Sequence, residues 1–255
     1  MNHKLRCALA ICGALAAAAP IPARAQDAGA NIERAQQTLS DLQRLLEGIA
    51  ARQARPGVSA AAAADPDNLF NGQSLGGWRQ TAFRNGGRAH VESAFRGGPP
   101  ALLVDAGTSL SGITWTGEAP KTNYEITLET MKVKGLDFMC GLTFPVADSH
   151  ASLILGGWGG NVVGISSVDG QDASENETSR GVSFETDRWY AVRLRVTPQK
   201  IEAWLDGKKI VDLAIAGRKI GLRFGEISKS VPLGLATYQT SAAYRNIRLH
   251  RLDAK

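Results

Sequence analysis

The stretch RWYAVRLRVTPQKIEAWLDGKKIVDL, residues 188–213, holds three apolar-alternating runs separated by Thr197-Pro198-Gln199 and by Asp206-Gly207. Period-two runs of this length, broken by residues that favour tight turns, predict a strand–turn–strand–turn–strand meander, which is antiparallel by construction. YEITLETMKV, residues 124–133, carries the same signature: Tyr124, Ile126 and Leu128 alternate with Glu125, Thr127 and Glu129. Strands at short intervals with no amphipathic helix between them indicate a two-sheet sandwich or a barrel. The 28 glycines and the 21% charged residues agree with many tight turns and argue against a helical bundle. With 255 residues, 44% of them hydrophobic, the chain can fill one sizeable core and a small additional element.

The N-terminal residues belong to a different class. Lys4 and Arg6 precede the apolar run CALAICGALAAAA, and Ala23-Arg24-Ala25 provides an A-x-A cleavage site before Gln26. This predicts a secretory signal over residues 1–25 and a periplasmic or secreted protein. The run is too short for a membrane span. Without Lys4, Arg6 and Arg24 the 29 basic residues become 26 against 24 acidic ones, so the net charge is +2 in place of +5. No basic run remains to suggest a nucleic-acid partner. Cys7 and Cys12 leave with the leader, so Cys140 is alone and reads as a buried small hydrophobe.

Between Asn31 and Gln53, Ile32, Ala35, Leu39, Leu42, Leu46 and Ile49 are spaced alternately by three and four, which predicts an amphipathic helix within residues 26–54. About three heptads support either a helix resting on the main domain or a self-association element over residues 31–53. Residues 55–64 have linker composition, and the main domain is expected over residues 65–252.

Three segments in order carry a family resemblance: LFNGQSLGGW (69–78), WYAVRLRV with IEAWLDGKKI (189–210), and YRNIRLHRL (244–252). The chain resembles the domain of unknown function 1080 family, associated with 3-keto-disaccharide hydrolase and 3-keto-glucoside lyase or hydratase activity. The resemblance implies an all-β concanavalin- or laminin-G-like jelly roll, two antiparallel sheets with a concave saccharide-binding face.

The glycine-rich LILGGWGGNVVG, residues 153–164, lacks the G-x-G-x-x-G spacing of a dinucleotide cradle, so no nucleotide cofactor is expected. It predicts instead a hairpin of Ser152–Trp158 and Val162–Val168 that turns near Gly160-Asn161. Ser152, Ile154, Gly156 and Trp158 then share one face, where the indole is either a platform for a sugar ring or a core residue. The following loop collects Asp169, Asp172, Glu175, Asn176 and Glu177. Its carboxylates and amides suit hydrogen bonding to hydroxyls, a divalent cation such as calcium, or plain solvation. Trp158, Asn161, Asp172 and Asn176 are the candidate substrate-binding residues. Glu125 and Glu129 flank Thr127, where a retaining glucanase needs an aspartate, and read as a solvent-facing pair. The zinc spacings and the G-x-S-x-G elbow are missing from the sequence.

For a 3-keto-glycoside the ketone acidifies the C2 proton, so the reaction requires a base, a group that stabilises the enolate and an acid for the leaving oxygen. His150 or Asp137 is the candidate base, Asp169 or Glu177 the acid, and Arg180 or a bound cation the stabiliser. Elimination followed by hydration gives net hydrolysis. The rival reading is a non-catalytic carbohydrate-binding or adhesion module that uses the same face.

Overall fold

The computed structural model describes residue 34, residues 36–44 and residues 65–253. The expected leader, the linker and most of the heptad run lie outside the described residues. Two compact units divide the chain, residues 1–62 and 63–255. In the first, residues 36–44 are helical, Gln37 Nε2 donates to Asp41 Oδ1 one turn on, and Leu39 and Leu42 are exposed. No helix among the described residues is long and apolar enough to cross a membrane.

The second unit is the expected antiparallel sandwich. Its front sheet joins, in order, β1 (Trp78–Gln80), β4 (Leu110–Trp115), β13 (Gly234–Tyr238), β6 (Cys140–Val146), β7 (Ser149–Gly156), β8 (Val162–Ser166) and β9 (Arg180–Gly181). The back sheet joins β12 (Lys208–Ala214), β11 (Lys200–Leu205), β10 (Trp189–Val196), β5 (Tyr124–Gly135), β14 (Thr240–Arg251), β3 (Ala101–Val104) and β2 (Ala89–Glu92).

The meander forms as its turn residues dictate. Asp206 and Gly207 have φ of 48° and 77°, the left-handed pair that a two-residue hairpin turn requires. In β5, Tyr124, Ile126 and Leu128 are buried against the front sheet, and Glu125, Thr127 and Glu129 take the other face. Two tyrosines fasten the layers. Tyr124 Oη donates to the Pro145 carbonyl (2.5 Å) and Tyr244 Oη to the Met139 carbonyl (2.6 Å), so each buries a large ring without leaving its hydroxyl unpaired. Burial raises both phenols well above their ordinary pKa. Cys140 lies in the same core, its thiol pushed up to about 12 by burial, which makes it a poor nucleophile.

The glycine-rich hairpin differs from the expected one. β7 stops at Gly156, and Trp158 sits in the connecting turn Gly157–Gly160 rather than on the strand. The cause is backbone conformation: Gly156, Trp158, Gly159 and Gly160 all have positive φ, between 49° and 105°, which no strand can continue.

Candidate functional site

The outer face of the front sheet is floored by small side chains. Across β4, β13, β6, β7 and β8 one row reads Gly112, Ala236, Gly141, Ile154 and Gly164, and the next reads Thr114, Gly234, Thr143, Ser152 and Ser166. Glycine at 141 has a steric reason, because a Cβ there would stand 3.1 Å from the Phe138 ring. A floor this low leaves room above it.

Residues 219–230 cross that room as a strap. At the β8 side Ser167 and Gly221 exchange backbone hydrogen bonds (2.7 and 3.1 Å). At the β1–β4 side Lys229 Nζ donates to the Ala82 carbonyl (2.9 Å), Thr114 Oγ1 donates to the Lys229 carbonyl (3.2 Å), and the Arg84 N–H donates to Glu226 Oε2 (2.9 Å). Ile227 pins the strap by packing with Phe83 and Ala236. Between the strap and the Leu136–Met139 and Gly157–Gly160 connections lies a cleft of about 350 Å³.

The cleft has two kinds of wall. Leu110, Phe138, Tyr238 and Ile227 line the β4–β13 side, with the Phe138 and Tyr238 rings stacked at 6.1 Å and 29°. Ser152, Ser166 and Arg223 supply polar groups on the β7–β8 side. Ser166 Oγ donates to Asp172 Oδ1 (3.1 Å), and Asp172 Oδ2 pairs with Arg223 Nε (3.3 Å), so a short polar chain holds the guanidinium at the cleft. That ion pair uses one of five N–H donors. The Arg223 guanidinium also stands 5.7 Å from the Trp158 ring centroid. Trp158 is 39% exposed with φ of 49°, a conformation that costs a bulky residue about 1–3 kcal/mol and is found chiefly where the surroundings impose it.

Two carboxylates line the cleft. Asp137 accepts from the Phe138 N–H at Oδ1 (2.8 Å) and from the Gly159 N–H at Oδ2 (2.9 Å), which fixes its position beside Trp158 and leaves lone pairs on both oxygens. Glu226 is held below the usual carboxylate range by Lys229 and by the Arg84 N–H, so it is ionised at neutral pH.

Of the residues singled out in the sequence, Asp137 and Trp158 meet in this cleft, and Asp172 stands behind Arg223. The others go elsewhere. His150 shares the outward face of β7 with Ser152 but lies beyond the cleft lining, and Asp148 pairs with Lys121 (2.7 Å) rather than with it. Burial and Lys121 lower the His150 pKa. Asp169 and Glu177 both bind Arg218. Arg180 Nε donates to the Ile210 carbonyl of β12 (2.8 Å) and so bridges to the back sheet. Asn161 ends the Gly157–Gly160 turn, and its carbonyl accepts from the Val182 N–H. Asn176 is buried: its amide donates to the carbonyls of Ile165, Gln171 and Asp172, and its Oδ1 accepts from Thr178. It holds the loop together and is closed to solvent. Among the described residues no group of three or more His, Cys, Asp or Glu could hold a metal ion. The loop carboxylates Asp169, Glu177 and Asp172, for which hydroxyl binding, a cation and plain solvation were all open, pair with Arg218 and Arg223.

Arg223, Phe224, Glu226, Tyr238 and the two serines were not anticipated. Residues 219–230 show neither period two nor period 3.6, so nothing local marks the strap as part of a site.

Solved structures of the same sandwich class are similar at low identity. The carbohydrate binding module CBM66 from Bacillus subtilis aligns at 11% identity and TM-score 0.45, covering 68% of this chain and 95% of its own. Domain 4 of AbnA, a GH43 extracellular arabinanase from Geobacillus stearothermophilus solved with arabinotriose, aligns at 12% and 0.45, covering 70% and 84%. A Bacillus subtilis protein of unknown function with a galectin-like fold aligns at 13% and 0.45, covering 68% and 89%. No curated protein matches the chain. The family model of the 3-keto-alpha-glucoside-1,2-lyase-like domain matches residues 65–250, and the chain belongs to that family.

Proposed function

We propose that this protein is exported and cleaves 3-keto-glucosides in the front-sheet cleft. The observation that carries the reading is the convergence there of a backbone-anchored carboxylate, Asp137, a guanidinium, Arg223, and an exposed indole, Trp158. The indole offers a flat apolar face to the pyranose ring. Asp137 takes the C2 proton, and the electron pair moves into the C2–C3 bond as the ketone becomes an enolate. Arg223 donates to that developing oxyanion, and its own position is held by Asp172. The enolate collapses, C3=O re-forms, the C1–C2 double bond forms and the C1–O bond breaks. The departing alkoxide takes a proton from water, and the hydroxide so formed adds to C1. Protonated Asp137 returns its proton to C2, which balances the sequence as net hydrolysis.

The test is incubation of the full chain with a 3-keto-glucoside in D₂O. Deuterium at C2 of the released 3-keto-glucose, lost in Asp137→Asn, supports the mechanism. Release without C2 exchange rejects it, and saturable binding without release would leave a carbohydrate-binding module.

A further inference from the structure

The reaction assigned above specifies the keto-sugar and says nothing of what leaves. Three features of the cleft bear on that group. The wall on the β4–β13 side, Leu110, Phe138, Tyr238 and Ile227, presents almost no hydrogen-bonding groups. A second sugar placed there would strip water from several hydroxyls and find Tyr238 Oη as nearly the sole partner, whereas a flat ring loses nothing. The Phe138 and Tyr238 rings stack on each other, with centroids 6.1 Å apart and planes 29° from parallel, so aromatic carbon continues along that wall. At the mouth Phe224 lines the cleft with its side chain wholly exposed, and Leu136, 83% exposed, adjoins Gly160. An uncovered phenyl at a cleft mouth is a free stacking surface.

The chemistry of departure points the same way. Glu226 is kept ionised by Lys229 and Arg84, so it has no proton to offer the leaving oxygen. A phenol, with a pKa of about 10, leaves as the anion far more readily than an alkanol, which is as weak an acid as water.

We propose that the cleft accepts 3-keto-glucosides whose leaving group is a planar aromatic alcohol. The keto-sugar lies on the Ser152–Ser166–Arg223 side, and the aromatic ring rests on the Phe138–Tyr238 wall with Phe224 at the mouth. This rests on the lyase reading for the sugar half and on the apolar wall for the other half, and the two can fail separately.

The experiment compares Phe224→Ser with the unaltered protein on the 3-keto forms of 4-nitrophenyl and methyl glucoside, with fluorescence titration by ordinary 4-nitrophenyl glucoside alongside. Phe224 is exposed, so the variant should melt with the parent. The intrinsic advantage of nitrophenolate cancels, because each substrate is compared with itself across the two proteins. The expected result is a KM raised about tenfold for the nitrophenyl substrate, with the methyl substrate within twofold, and a matching loss in titrated affinity. Equal changes on both substrates, or none on either, overturn the proposal. If neither substrate turns over but the nitrophenyl glucoside binds in a Phe224-dependent way, the reaction fails and the aromatic subsite stands. If binding is also indifferent to Phe224, both fall.

Discussion

The outer faces of the two sheets obey the same alternation of residues and end in opposite conditions. On the back sheet many outward positions carry long charged side chains that find partners across the strands. Glu125 Oε2 accepts from both Nε and Nη2 of Arg195 (3.1 and 3.0 Å), Glu129 binds Arg245, and Arg193 lies 3.7 Å over the Trp204 ring. On the front sheet the two rows at the cleft are glycine, alanine, serine or threonine apart from Ile154, and the cover comes from a strap that leaves part of the floor open. Charge is abundant on the first face and already satisfied there. It is sparse on the second, where Asp137 is anchored by backbone amides and keeps free lone pairs. Chemistry is therefore to be sought where the sheet is bare and not where it is charged.

The most severe test of that contrast is Asp137→Asn. The amide keeps an acceptor for one of the two backbone N–H groups, gives up the other and cannot take a proton, so kcat on a 3-keto-glucoside should fall about 10³-fold, with the melting temperature lowered by only a few degrees because the Gly159 contact is exposed. A variant that keeps its activity would move the base elsewhere in the cleft.

Asn176→Ala should act in the opposite sense. Removing the amide strands the carbonyls of Ile165, Gln171 and Asp172 and releases Thr178, at a cost of about 3 kcal/mol, or roughly 6–12 °C in melting temperature. Thermal unfolding followed by circular dichroism reads it. If stability holds while sugar binding is lost, Asn176 belongs to the ligand and not to the loop.

Smaller again is Glu129→Gln on the back sheet, expected to lose about 0.5–1 kcal/mol in a denaturant titration and no activity, because its partner Arg245 also stacks 4.1 Å from Trp189 and keeps that contact. A tenfold drop in turnover would show that the charged face takes part in function after all.

How far these faces could be told apart in advance depends on the kind of signal each carries. The back-sheet meander was legible because alternation and the Asp206-Gly207 turn are local properties of a few residues, and Glu125 and Glu129 read as a surface pair for the same reason. Asp137 was named for its position in a loop, and Trp158 for an indole set among glycines, although the sequence put it on the strand and the structure puts it in the turn. The strap was not legible, since its role comes from crossing strands of which β4, β6, β7 and β8 are distant in sequence. Loop carboxylates are hard to read for a similar reason. Asp169 or Glu177 was the candidate acid and Arg180 the candidate stabiliser, but what each side chain meets depends on residues thirty to fifty positions away, Arg218 and Ile210.

The smallest expected effect belongs to Arg218→Met, and its pH dependence makes it informative. Asp169 is held below the usual carboxylate range by the Lys219 N–H and by Arg218, and Glu177 by Arg218 first. A carboxylate whose pKa is lower folded than unfolded adds stability that is complete above the unfolded value and is lost as pH falls through the folded one. The unaltered protein should therefore melt slightly above the variant from neutral pH down to about pH 5, and the gap should close as the pH drops below about 4. Salt should narrow it at neutral pH, because all three groups meet solvent. Turnover should follow the small loss of strap anchorage and no more, since Arg223 keeps its own tie to Asp172. A gap that persists at pH 2 would show that Arg218 acts by packing and not by charge. A collapse of activity at unchanged melting temperature would place the acidic loop in the site and erase the distinction between the satisfied and the open regions of this molecule.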